Sequence, residues 1–91
     1  MEVKNGDIVQ HFKRELVEDK NSTEYLYKII STNVIHTETK ERLVVYESLY
    51  SNSYVKIGQL FARPYNMFLS EVDKNKYPNI HQKYRFMIYK D

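Results

Sequence analysis

The sequence predicts a mainly β fold, and the preferred architecture is a small, SH3-like, partly open barrel of five to six antiparallel strands with at most one short helical turn. Three observations carry this expectation. Nine Tyr and four Phe stand in a chain of 91 residues without a single Trp, and tyrosine favours half-buried strand positions. Apolar and polar residues alternate along several short runs, the period of a strand. Only two Gly and two Pro are present, yet Asn, Ser and Asp cluster between the runs and supply the turns. So many short strands in so small a chain close most readily into a small barrel or a strongly curled sheet. A sheet packed by one short helix is the alternative.

Taken in order, Gly6-Asp7 opens a first strand over 7–13, with Ile8, Gln10 and Phe12 on one face and Val9 and His11 on the other. The charged stretch 14–24 reads as an exposed loop with a helical turn near 15–19. A long second strand covers 25–36, with Tyr25, Tyr27 and Ile29 on one face and a bend or bulge at Ser31-Thr32-Asn33. A two-residue turn at Thr39-Lys40 reverses the chain. The third strand, 42–50, sets Val44, Tyr46 and Tyr50 against Leu43, Val45 and Leu49. Ser51-Asn52-Ser53 turns the chain into a fourth strand over 54–62, interrupted at Gly58. Arg63-Pro64 ends it, because proline removes a donor and holds the preceding residue extended. Residues 65–69 suit one helical turn whose Met67, Phe68 and Leu69 plug one end of the barrel. A polar loop with Pro78 then leads to a last strand over 84–89.

The chain is expected to be one domain, residues 1–91, since its length leaves room for a single core. A core of this size buries only roughly 60–65% of the unfolded surface. With no cysteine there is no disulfide and no thiolate metal cage, which suits a reducing, cytoplasmic address. No apolar run reaches the ~18 residues of a membrane span. Fourteen basic and twelve acidic residues give a formal charge of +2, too weak a field for a dedicated nucleic-acid binder.

Several short patterns, in fixed order, carry a resemblance. They are His11-Phe12-Lys13, His36-Thr37-Glu38-Thr39, Val44-Val45-Tyr46, Leu49-Tyr50, Ala62-Arg63-Pro64, Met67-Phe68, Lys76-Tyr77-Pro78 and Lys83-Tyr84-Arg85-Phe86. Over about 6–86 the chain resembles a bacterial family catalogued as domain of unknown function 1653. The resemblance implies a small β-rich domain and no defined activity. Three features depart from the family pattern: Thr32-Asn33-Val34 replaces a small segment with Gly and Ala, Lys40 stands where a turn glycine is usual, and the connection from Tyr50 to Ala62 is longer.

The expected ligand-binding residues are Arg63, His36, Glu38 and Tyr46. A guanidinium is a planar fork of donors that matches carboxylate or phosphate, and Pro64 limits its backbone. Tyr46 would stack or donate its hydroxyl, and Glu38 and His36 would fix orientation. The plain reading of Arg63 is an internal salt bridge to Glu38, Glu41 or Glu47, or hydrogen bonds to loop carbonyls. Across a two-residue turn Glu38 would face Glu41, and His36 would face Leu43. Paired carboxylates beside a histidine could serve as acid and base, so a small hydrolase or isomerase using His36 and Glu38/Glu41 is the alternative function. The plain reading of that run is a solvated hairpin tip. His11 could join His36 in a site, but a single strand histidine is usually a hydrogen-bonded structural residue. His11, His36 and His81 lack zinc spacing, so neither a metal nor another cofactor is expected. Tyr25, Tyr27 and Lys28, or Lys83, Tyr84, Arg85 and Tyr89, could support weak single-stranded nucleic-acid binding. No nucleophile elbow, phosphate loop or dinucleotide fingerprint occurs, and no catalytic residue is assigned. The leading functional expectation is a small binding module for an anionic ligand or a protein partner, with its oligomeric state open.

Overall fold

Alternation along each run decides which side chains meet, and the computed structural model, which describes residues 2–90, follows it closely. The strands are β1 (Ile8–His11), β2 (Leu26–Ile35), β3 (Arg42–Ser48), β4 (Leu60–Pro64) and β5 (Phe86–Ile88). A 3₁₀ turn, Phe12–Leu16, follows β1, and a single helical turn, α1 (Tyr65–Phe68), follows β4. All pairings are antiparallel in one open sheet of order β4-β3-β2-β1-β5. The last strand therefore returns beside the first, as expected of a partly open SH3-like barrel. Among the described residues no helix is long and apolar enough to cross a membrane.

The sheet curls because β2 is irregular. Its register with β3 shifts between Ile29 and Ser31 and again between Ser31 and Val34, where the sequence predicts a bend. Each irregularity raises the local twist. The two ends of the strand order consequently face each other. The guanidinium of Arg63 on β4 lies 5.7 Å from the ring centre of Phe86 on β5, and Tyr46 on β3 meets that ring at 5.4 Å. Phe68 of α1 fills the gap, fully buried and stacked on Phe86 at 4.1 Å.

Val9, Tyr27, Ile29, Val44, Tyr46, Tyr50, Phe68 and Phe86 form the main core. Each fully buried large side chain contributes roughly 1.5–3 kcal/mol. Tyr27 and Tyr50 share a 2.7 Å hydrogen bond between their hydroxyls. Burial pushes both phenols up, so both stay protonated and the bond is neutral.

Four local expectations are corrected. The 14–24 stretch is not a free exposed loop: Arg14 is buried and donates to the carbonyls of Glu24, Lys20 and Ser22 at 2.7, 3.2 and 3.0 Å. Its helical turn comes earlier, at Phe12–Leu16, because the His11 ring caps it. The β2–β3 turn spans four residues rather than two. His36 N–H donates to the Glu41 carbonyl at 2.9 Å, and Lys40 adopts a left-handed φ of +65°. His36 therefore opposes Glu41, not Leu43. The fourth strand begins only at Leu60. Upstream, the Asn52 side chain accepts from the N–H groups of Tyr54 and Val55, and Gly58 sits at φ +86°, a conformation that breaks a ladder. The last strand is cut to Phe86–Ile88, while Tyr84 forms an isolated bridge with Glu71.

Candidate anion-binding cavity

The curl brings three segments far apart in sequence to one depression: the end of β1 with its 3₁₀ turn, β4, and the 72–85 segment. The depression has a volume of about 340 Å³.

His11 points inward because it alternates with Val9 along β1, and it pairs in register with Phe86. Its residue is only 9% exposed, wedged against Phe12 and against the edge of Phe86. The Nδ1 atom accepts the Lys13 N–H at 3.1 Å. A nitrogen that accepts carries no proton, so the neutral ring keeps its proton on Nε2. Burial, reinforced by the charges of Arg63, Lys13 and Arg85, lowers the His11 pKa to about 3. The ring is thus a neutral donor at any physiological pH.

Arg63 stands opposite Val44 in the β3–β4 ladder and so shares the concave face with Phe61 and Tyr46. Its Nε donates to the Tyr46 hydroxyl at 3.2 Å. Arg85 precedes β5, and its backbone N–H donates to the Ser70 carbonyl at 2.8 Å. Its Nε donates to Ser70 Oγ at 3.3 Å, and that hydroxyl is itself oriented by donating to the Met67 carbonyl at 2.6 Å. Both guanidiniums are therefore fixed through Nε, which leaves their terminal amino groups unengaged. Neither has a carboxylate partner among the described residues. Burial, with the neighbouring charge of Arg63, holds Arg85 below the usual arginine range.

The outer wall is Tyr77, whose ring meets Phe12 edge-on at 4.8 Å. Lys13 and Lys76 reach to 6.0 and 5.5 Å from its centre. This wall is held by Lys74, which donates to the carbonyls of Ile80 and Gln82. Buried Gln82 adds bonds to the carbonyls of Gln10 and Tyr84 at 3.3 and 2.8 Å. The cavity carries four formal positive charges, Lys13, Arg63, Lys76 and Arg85, against one negative charge, Asp73. The difference, +3, exceeds the +2 of the entire chain.

Two larger depressions lack this character. One, of about 580 Å³ beside Tyr50, is more open to solvent, and Asp19 on its rim already accepts the Asn21 N–H at 2.9 Å. In the other, beside Pro78, the Glu15 carboxylate accepts the N–H groups of His81 and Gln82 at 2.9 and 2.6 Å. Burial opposes the charge on Glu15, but those two bonds outweigh it and hold the carboxyl below its ordinary range.

Of the expected site residues, Arg63 and Tyr46 come together. Tyr46 is 4% exposed and its hydroxyl accepts from Arg63, so it positions the guanidinium instead of stacking on a ligand. His36 and Glu38 are not brought to that pair. They sit with Glu41 on the exposed β2–β3 hairpin, where His36 Nδ1 accepts the N–H groups of Glu38 and Thr39 at 3.2 and 3.3 Å. His36, Glu38 and Glu41 thus all stand exposed to solvent. The internal salt bridge from Arg63 to Glu38, Glu41 or Glu47 does not form. Sequence reasoning did not single out Lys13, Lys76 or Tyr77 for an anion site, it named Arg85 only in a possible nucleic-acid patch, and it weighed His11 as a partner of His36 against a hydrogen-bonded structural residue. Their signal was present only as short basic-aromatic runs, His11-Phe12-Lys13, Lys76-Tyr77 and Tyr84-Arg85-Phe86, whose convergence needs the curl.

Fold and cavity together define a small, mainly β domain built around a preorganised cationic depression. The chain belongs to the family described as protein of unknown function (DUF1653), whose sequence model matches residues 7–88. No curated protein and no solved structure matches it significantly.

Proposed function

We propose that this domain is a binding module for a small anionic ligand, taken into the cavity between Arg63 and Arg85. The observation that supports this most is the pair of guanidiniums anchored through Nε, neither of them paired with a carboxylate. Half-buried arginines are normally paired, and leaving two unpaired costs stability that an arriving anion would restore. Such fixed forks recognise planar or tetrahedral oxyanions with little loss of side-chain freedom. The lack of cysteine suits a reducing, cytoplasmic setting, and we read the module as a bacterial one on the family resemblance.

The test is a thermal-shift and calorimetric screen of small mono-, di- and tricarboxylates, sulfate and phosphate esters at low ionic strength. Binding is expected to stabilise the protein in proportion to occupancy. Arg63→Ala or Arg85→Ala should each weaken it by about tenfold or more. A screen in which no anion binds, or in which both variants bind as the parent does, rejects the proposal.

A further inference from the structure

We infer that the ligand is a small phosphate monoester, its dianionic phosphoryl group held between Arg63 and Arg85 and capped by the Nε2–H of His11; this rests on the anion-binding reading above.

Donor supply is the first argument. Arg63 and Arg85 spend only Nε on the protein, so each offers two terminal amino groups to the cavity. Lys13 and Lys76 add ammonium groups at its edge. A carboxylate has two oxygens and roughly four acceptor sites, whereas a phosphoryl group brings three terminal oxygens and close to two negative charges at neutral pH. Charge points the same way: against a local excess of +3, a monoanion leaves most of the field uncompensated.

The second argument is His11. Its Nδ1 is committed to the Lys13 N–H, and its Nε2 has no partner among the described residues. No side-chain nitrogen or oxygen in the described residues is both sealed from solvent and unpaired. Nε2 therefore keeps access to solvent, and the residue lines the cavity although it is nine-tenths buried. A neutral N–H donor in that place serves an acceptor oxygen and adds no further positive charge.

The third argument is size and lining. A bare oxyanion fills only part of 340 Å³. The lining also includes Phe12, Val72 and Tyr77, which could receive a short carbon skeleton.

The groups facing His11 and the phosphoryl position are Lys13 from the 3₁₀ turn, Arg63 from β4, Asp73, Lys76 and Tyr77 from the outer wall, and Arg85 before β5. Since His11 stays neutral, the pH dependence of binding near neutrality comes from the ligand, whose second ionisation lies near pH 6.

Calorimetric titration of the full chain with glycerol 3-phosphate, dimethyl phosphate and malonate, at pH 7.5 and pH 5.0, tests this. Glycerol 3-phosphate should bind at least tenfold tighter than the diester or malonate at pH 7.5. Its affinity should fall about tenfold at pH 5.0, where only about a tenth of it is dianionic. His11→Gln, which retains a neutral N–H donor, should keep most of the affinity, and His11→Leu should lose it while still unfolding cooperatively. If His11→Leu does not fold, the probe preference and the pH response decide the matter alone. Malonate binding as tightly as the monoester, or a flat pH profile, overturns the phosphate assignment while leaving an anion module. Binding of none of the three overturns this assignment together with the reading beneath it.

Discussion

Arg14 and the Arg63–Arg85 pair show two ways for one fold to hold arginine away from water. Arg14 lies 6% exposed, and both of its terminal nitrogens donate to backbone carbonyls of the 20–24 loop, three bonds in all. Its own carbonyl accepts the Lys20 ammonium at 2.7 Å. Arg63 and Arg85 each hydrogen-bond a single hydroxyl, and Arg63 also lies against the Phe86 ring. The first arrangement is a structural clamp, complete without a partner. The second is incomplete in a fixed geometry, which is what a recognition site requires and a clamp avoids. Histidine repeats the contrast. His11 and His36 both accept backbone N–H groups through Nδ1, yet one is enclosed in the cavity and the other caps an exposed hairpin.

The strongest way to break this comparison is to remove the clamp. Arg14→Met should cost about 3 kcal/mol in urea unfolding, because charge-assisted bonds are lost and three carbonyls are left without a donor. It should leave the anion binding proposed for Arg63 and Arg85 unchanged. A cost below about 1 kcal/mol would show that the loop does not depend on Arg14.

Acid titration tests His11 next. His11 is held near 3 in the fold against about 6.5 in the unfolded chain. Between these values the unfolded chain takes up a proton that the folded chain refuses. Stability from this group is therefore complete above pH 6.5 and is lost as pH falls toward 3. The limiting slope is about 1.4 kcal/mol per pH unit. Unfolding measured from pH 6.5 down to pH 5, above most carboxylate titration, should show that decline in the parent and a flatter profile in His11→Gln. Parallel profiles would show that the fold does not hold His11 below its ordinary value.

Arg85→Gln should change stability by no more than about 0.5 kcal/mol, or raise it, since it relieves the charge that Arg63 imposes. A loss as large as that of Arg14→Met would make Arg85 a second clamp. The smallest effect concerns the hairpin. Lys40 holds φ +65°, a conformation glycine adopts without strain. Lys40→Gly should gain up to about 1 kcal/mol, and thermal melting would reveal it.

Much of the fold was legible because it is written locally. The alternation of Val44 and Tyr46 marked the buried face of β3, and the Ser31-Thr32-Asn33 cluster marked the irregularity that curls β2. Turn lengths were less legible. Lys40 in a left-handed conformation turned an expected two-residue turn into a four-residue one, and that shift alone separates His36 from Leu43. The site was legible in part: Arg63 beside Tyr46 follows from the β3–β4 ladder, one strand and its neighbour.

The sequence by itself determined the mainly β class, the inward faces of the central strands, the end of β4 at Arg63-Pro64 and the helical turn carrying Phe68. These depend on alternation, on proline geometry and on contacts between neighbours along the chain. Only the tertiary structure decided that Arg85, 22 residues beyond Arg63, and His11, 52 before it, meet at one cavity. That meeting depends on how far the sheet curls, which two irregularities in β2 and the packing of Phe68 on Phe86 set together. No local pattern encodes a closure that arises from the sum of twist along several strands.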